Sequence, residues 1–153
     1  MLALMLGLMN AAAAPQPATA KVVCEVGRAA LRDTWPARVA DAAKRDTTNY
    51  VDVEHRLFAA CPMLRAEVPA GYTIADADAW ARASVHVPVQ GRQVDPAFIA
   101  WIDVPNVAAD GKSATVQVGY DCTGLCGGGA LFRYVRTPQG WRRDGQPLSQ
   151  WVS

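Results

Sequence analysis

The chain has 153 residues with 15 basic and 14 acidic side chains, a formal net charge of +1. That balance argues against a general nucleic-acid binder, which carries a strong basic excess. The length suits one domain, large enough to bury roughly two-thirds of its unfolded surface in a true core.

The chain opens with "MLALMLGLM", a short apolar run, followed by the small-residue stretch "NAAAAPQPATA". Ala18-Thr19-Ala20 has the small-x-small form that a signal peptidase accepts. Residues 1–20 therefore read as a signal peptide cleaved before Lys21, although no Lys or Arg precedes the run. The run falls short of the roughly 20 residues of a membrane-spanning helix, and no later stretch comes closer. The mature chain, one domain over residues 21–153, is expected in the periplasm or outside the cell, without a transmembrane segment. A lipid anchor on Cys24 is the alternative; it would leave an odd number of thiols. "KVVC" places Lys21 and Val23 where such a signal has an apolar and a small residue.

Helical spacing dominates the first half. "CEVGRAALRDTW" sets Val26, Ala29, Ala30 and Leu31 on one stripe, and Pro36 breaks or restarts the helix. Thr34 can cap a second short helix with Pro36 inside its first turn. In "NYVDVEHRLFAAC" Tyr50, Val53, Leu57, Phe58 and Cys61 form another stripe, with Asp52 and Glu54 early, Arg56 later and Pro62 as a stop. "TIADADAWARA" opens with Thr73 and Asp76 in capping-box spacing, which predicts a short third helix.

From Ser84 onward the period changes to two. Val85, Val87 and Val89 alternate with polar residues, and Pro88 assigns that strand to an edge. "AFIAWIDV" reads as a buried strand, "ADGK" as a turn, and "SATVQVGY" as a strand alternating Ala114, Val116, Val118 and Tyr120 against Ser113, Thr115, Gln117 and Gly119. "ALFRYVR" is the next strand, "TPQG" the next turn, and "WRRDG" begins the last short strand. Segregated helices and strands imply an α+β fold, with N-terminal helices on one face of a C-terminal antiparallel meander and the other face open.

Export permits disulfides, and the cysteines at 24, 61, 122 and 126 allow three pairings. Cys24–Cys61 joins two helical segments and Cys122–Cys126 closes a short loop; this is the expected pairing. Zinc motifs use four ligands with CxxC-type spacing, whereas this chain has CxxxC and only His55 and His86 besides, so no metal is expected. A redox pair would take the form CxxC at a helix start. Gly127, Gly128 and Gly129 follow the second cysteine, but the loop runs from strand to strand and lacks the Lys and Ser/Thr of a Walker loop. They read as a tight connection or a bulge, and no cofactor is implied.

Catalytic candidates are few. His55 adjoins Glu54, but neighbours on a helix point about 100° apart, so spacing makes no dyad. His86 falls on the polar side of the expected edge strand. Asp95, Asp103 and Asp121 can converge as paired carboxylates, yet all sit at turns or strand ends, where Asp is common for backbone reasons. No GxSxG elbow occurs. No catalytic residue is assigned, and the reading leans away from an enzyme.

The C-terminal end gathers the residue types that dominate interfaces. Arg133, Arg136, Arg142 and Arg143 stand among Phe132, Tyr134, Trp141 and Trp151, although alternation puts Arg133 and Arg136 on opposite strand faces. "GLCGGGALFRYVRTPQGWR" resembles an ending found in small exported bacterial proteins of uncharacterised function, in which an LCG-type loop leads into a strand, a Gly-containing turn and a Trp. The order of helices and then a meander is similar to cystatin-like and nuclear-transport-factor-2-like folds, which host enzymes and non-catalytic binders alike. Neither resemblance supplies catalytic residues. The expected function is an exported, non-catalytic binding protein, an inhibitor or immunity-type partner of another envelope or secreted protein. Its expected surface comprises Leu125, Phe132, Arg133, Tyr134 and Arg136 beside the cystine loop. The alternative is a small-molecule enzyme or ligand carrier with a pocket between helices and sheet.

Overall fold

The computed structural model describes residues 18–36, 49–87, 90–91 and 93–153. The apolar leader run, the helix expected after Thr34, and Pro88 and Val89 of the expected edge strand lie outside the described residues.

The first helix, α1 (Ala20–Thr34), is capped by Thr19, whose side chain accepts from the Val22 N–H, and it ends where the Trp35 N–H returns to the Leu31 carbonyl. Cys24, Val26, Ala29, Ala30 and Leu31 form its buried stripe, at the spacing that predicted it. β1 (Asn49–Val51) follows, then the short α2 (Leu57–Ala60), a 3-10 helix over Pro62–Glu67, and α3 (Ala77–Ala83). The rest is strand: β2 (Phe98–Ile102), β3 (Asn106–Val107), β4 (Ser113–Cys122), β5 (Cys126–Thr137), β6 (Gly140–Arg143) and β7 (Ser149–Val152).

These strands make one sheet in the order β1-β2-β4-β5-β6, with β3 added to β4 and β7 added to β5. The α+β class expected from the segregated periods is the one observed, and β4, β5 and β6 form the expected meander. The sheet is mixed, because β1 joins β2 in parallel. Helices also lie on both faces. α1, α2 and the 3-10 helix share a core with Ile102, Ala114, Val116 and Tyr134. α3 packs instead with Tyr50 and Ile99, which alternation turns to the opposite face from Ile102.

Three local expectations are corrected. Residues 49–51 are strand rather than helix: Val51 donates to Thr73 O and accepts from Ala75, and Asp52 donates its N–H to Ala100 O. Two flanking segments thus satisfy the backbone as a strand, which overrides the helical spacing of Tyr50 and Val53. Val85 and Val87 form no strand; Val85 O accepts the Gly124 N–H and so fastens a loop. Gly127, Gly128 and Gly129 are no turn but paired members of β5, opposite Asp121, Tyr120 and Gly119. Their value is a flat backbone: a Cβ on Gly128 would meet Tyr120 at 2.8 Å, and one on Gly129 would meet the Trp151 indole at 2.9 Å.

Both bridges are those expected. Cys24–Cys61 ties α1 to the start of the 3-10 helix, with Cα atoms 5.6 Å apart, and Cys122–Cys126 closes the β4–β5 hairpin, with Cα atoms 5.7 Å apart.

Candidate functional site: a stapled tip and an aromatic cleft

The hairpin between β4 and β5 turns through Thr123, Gly124 and Leu125, with Gly124 at φ 91° where a side chain would be strained. Hydrogen bonds fasten the turn to the body. The Thr123 N–H donates to Ala97 O at 3.1 Å and the Gly124 N–H to Val85 O at 2.8 Å. Thr123 Oγ1 accepts from the Ala97 N–H at 3.0 Å and donates to Arg82 O at 2.9 Å. Leu125 alone projects, 85 % exposed. An apolar side chain therefore stands in water on a loop fixed at its base, and no charged residue lies between Cys122 and Cys126.

The other expected binding residues scatter. Phe132 is half-buried toward the main core, with the Arg143 guanidinium 4.0 Å over its ring. Tyr134 is fully buried, and Arg143 donates to its hydroxyl at 3.4 Å. Burial pushes the Tyr134 phenol up to about 12 against the opposing pull of Arg143. Arg133 faces the other way, 3.8 Å from Asp144, and Arg136 is exposed near the far end of β5. Leu125 and Arg133 are accessible, but the five residues form no single patch.

His55 has a partner that spacing did not reveal. It lies in the turn before α2, its Nδ1 3.0 Å from Asp52 Oδ1, its ring edge-on to Trp80 at 5.2 Å, and its side chain 59 % exposed. Asp52 is buried, and the same Oδ1 accepts the Glu54 and His55 N–H groups. The carboxylate thus caps the turn while holding the imidazole. The adjoining cleft, lined by Glu54, Arg56, Ile74, Asp76 and Trp80, presents no hydroxyl or thiol side chain among the described residues. Asp103 and Asp121 do converge, but on Arg56, at 3.9 and 3.7 Å, whose guanidinium lies 3.8 Å over Trp101. A cation occupies the space between the carboxylates. Asp95 and His86 are exposed elsewhere. Among the described residues no three His, Cys, Asp or Glu side chains converge as metal ligands would.

A second concavity lies where α1 ends against the sheet. It measures about 570 Å³ and is lined by Trp35, Tyr72, Phe98, Ala100 and Tyr120, with Thr34 and Thr73 among the polar contributors. Trp35 stacks on Phe58 at 5.8 Å and meets Tyr72 at 6.1 Å; Phe98 and Tyr120 are 6.3 Å apart. Its described residues come from five separate segments, so local pattern carried no signal of it.

No protein-family model, curated protein or solved structure matches the chain. What fold and site define is a small α+β domain bridged twice, as proteins of an oxidising, extracytoplasmic environment are. No helix among the described residues is long and apolar enough to cross a membrane.

Proposed function

We propose that the protein is an exported, non-catalytic binding protein that engages another envelope or secreted protein through the tip of the β4–β5 hairpin. The observation that carries this reading is Leu125, 85 % exposed on a loop that a disulfide and its hydrogen bonds to the body hold in place. A loop ordered before contact gives up little conformational freedom on binding. Burying a leucine contributes about 1.5–3 kcal/mol, or roughly 10- to 100-fold in affinity. The leader-like residues 1–20 and the likeness of the "GLCGGGALFRYVRTPQGWR" ending to small exported proteins support the location.

A photoreactive residue at position 125 is expected to cross-link one envelope or secreted protein in living cells. Leu125→Asp, with both bridges intact, should weaken capture of that protein by about 10- to 100-fold. Capture that ignores both Leu125→Asp and removal of the Cys122–Cys126 bridge would dismiss the tip as the recognition element.

A further inference from the structure

The sheet face that α1 covers is longer than the cover. Ile102, Ala114, Val116 and Tyr134 are sealed beneath the helices, but α1 stops at Thr34 while β2 and β4 continue. Phe98, Ala100 and Tyr120 lie on that same face, in register through Phe98↔Cys122 and Ala100↔Tyr120, and Phe98 remains 38 % exposed. Among the described residues, core-type surface is thus left open where a packed domain would bury it.

The walls are preformed. Trp35 is buried and stacked on Phe58, so its indole is held from behind. Tyr120 can lie against β5 because Gly128 has no Cβ to hold it off. The enclosed volume, about 570 Å³, falls in the roughly 300–1,000 Å³ range of small-molecule sites. Among the described residues that line it there is no Asp, Glu, Lys, Arg or His. A charged ligand would give up its hydration there with no counter-charge from the described lining in return, whereas a ring would find faces to stack on. Thr34, Thr73, Asn49, Tyr50, Tyr72 and Tyr120 supply neutral polar groups among the lining, which can orient a ligand without carrying a charge to pair with it.

We infer that this cleft is a binding site for an uncharged aromatic small molecule, seated on Phe98 and Tyr120 with Trp35 as its back wall. This site is separate from the hairpin tip and stands or falls independently of it.

The test is a fluorescence titration of the full disulfide-bonded protein with N-phenylnaphthylamine, an uncharged aromatic probe, and with anilinonaphthalene sulfonate, its anionic counterpart. The uncharged probe should saturate at one equivalent per chain, and the sulfonate should bind at least about tenfold more weakly. Phe98→Glu, which places a charge on the floor, should weaken the uncharged probe by at least about tenfold, with near-ultraviolet circular dichroism unchanged. If that variant does not fold, Ala100→Leu, which fills the cleft, should weaken the probe in its place. Absence of saturation, equal affinity for the sulfonate, or binding indifferent to a folded variant would overturn the proposal. So would a dimer at the working concentration that Phe98→Glu dissociates, since a second copy would then be the occupant.

Discussion

Gly119→Ala puts the packing of the outer sheet face under direct strain. A Cβ at position 119 would lie 2.5 and 2.7 Å from Trp101 Cζ2 and Cη2, with the Gly128 carbonyl also in its way. The indole has little freedom to give, because it is buried and the Arg56 guanidinium lies 3.8 Å over it, within 3.9 Å of Asp103 and 3.7 Å of Asp121. Overpacking of this kind costs about 1–3 kcal/mol. Alanine recovers about 0.4–1 kcal/mol by restricting the unfolded chain. The expected net loss is about 1–2 kcal/mol, a fall of about 3–10 °C in Tm for a domain of this size. Urea unfolding followed by tryptophan fluorescence reads it, and adding Trp101→Leu should recover part of the loss as the methyl gains room. A Gly119→Ala protein as stable as the parent would refute the close approach of indole and backbone.

The two bridges should differ in worth by their loop lengths. Replacing Cys24 and Cys61 together by Ser opens a separation of 37 residues and should cost about 4 kcal/mol; replacing Cys122 and Cys126, 4 apart, should cost about 2 kcal/mol, and the reverse order in urea unfolding would contradict this. Burial raises the Tyr134 phenol to about 12 from the ordinary value of about 10. The stabilisation it gives is complete below about pH 10 and is lost as the pH climbs toward 12, a decline of about 1–3 kcal/mol that Tyr134→Phe should abolish in denaturation curves across that window. Asp52→Ala removes the acceptor for the Glu54 and His55 N–H groups and should cost about 1–2 kcal/mol, as loss of a helix cap does. Asp52→Asn should cost less, and His55→Ala about 0.5 kcal/mol or less; an equal loss from His55→Ala and Asp52→Ala would show that the imidazole, not the cap, holds the turn.

Strand β4 was legible from its alternation of apolar and polar residues, and β2 and β5 as short apolar runs bounded by turn residues. The bridges were legible because a chain with four cysteines offers only three pairings. β1 was not, because its partner in β2 is remote in sequence and Tyr50, Val53 and Leu57 happen to fall at helical spacing. β7 was missed because all four of its residues are exposed, so burial leaves no alternation to read. The glycine run reads as a turn by composition, and only the rings of Tyr120 and Trp151 explain it as strand. The exposure of Leu125 was legible from its place in the loop. Phe132 and Tyr134 suit an interface by residue type, but alternation with the exposed Arg133 assigns them to the core side. The aromatic cleft draws on Trp35, Tyr72, Phe98 and Tyr120, and nothing in the chain brings these together until the sheet forms.

A recognition tip held by a disulfide requires a chain that has left the cytosol, and intact mass with alkylation tests that most directly. Protein recovered from the envelope or medium should begin at Lys21, resist iodoacetamide, and take up four equivalents only after reduction, one for each cysteine. A chain recovered from the cytosol with its first twenty residues and four reactive thiols would contradict it, as would one lipidated at Cys24 with Cys61 free to react.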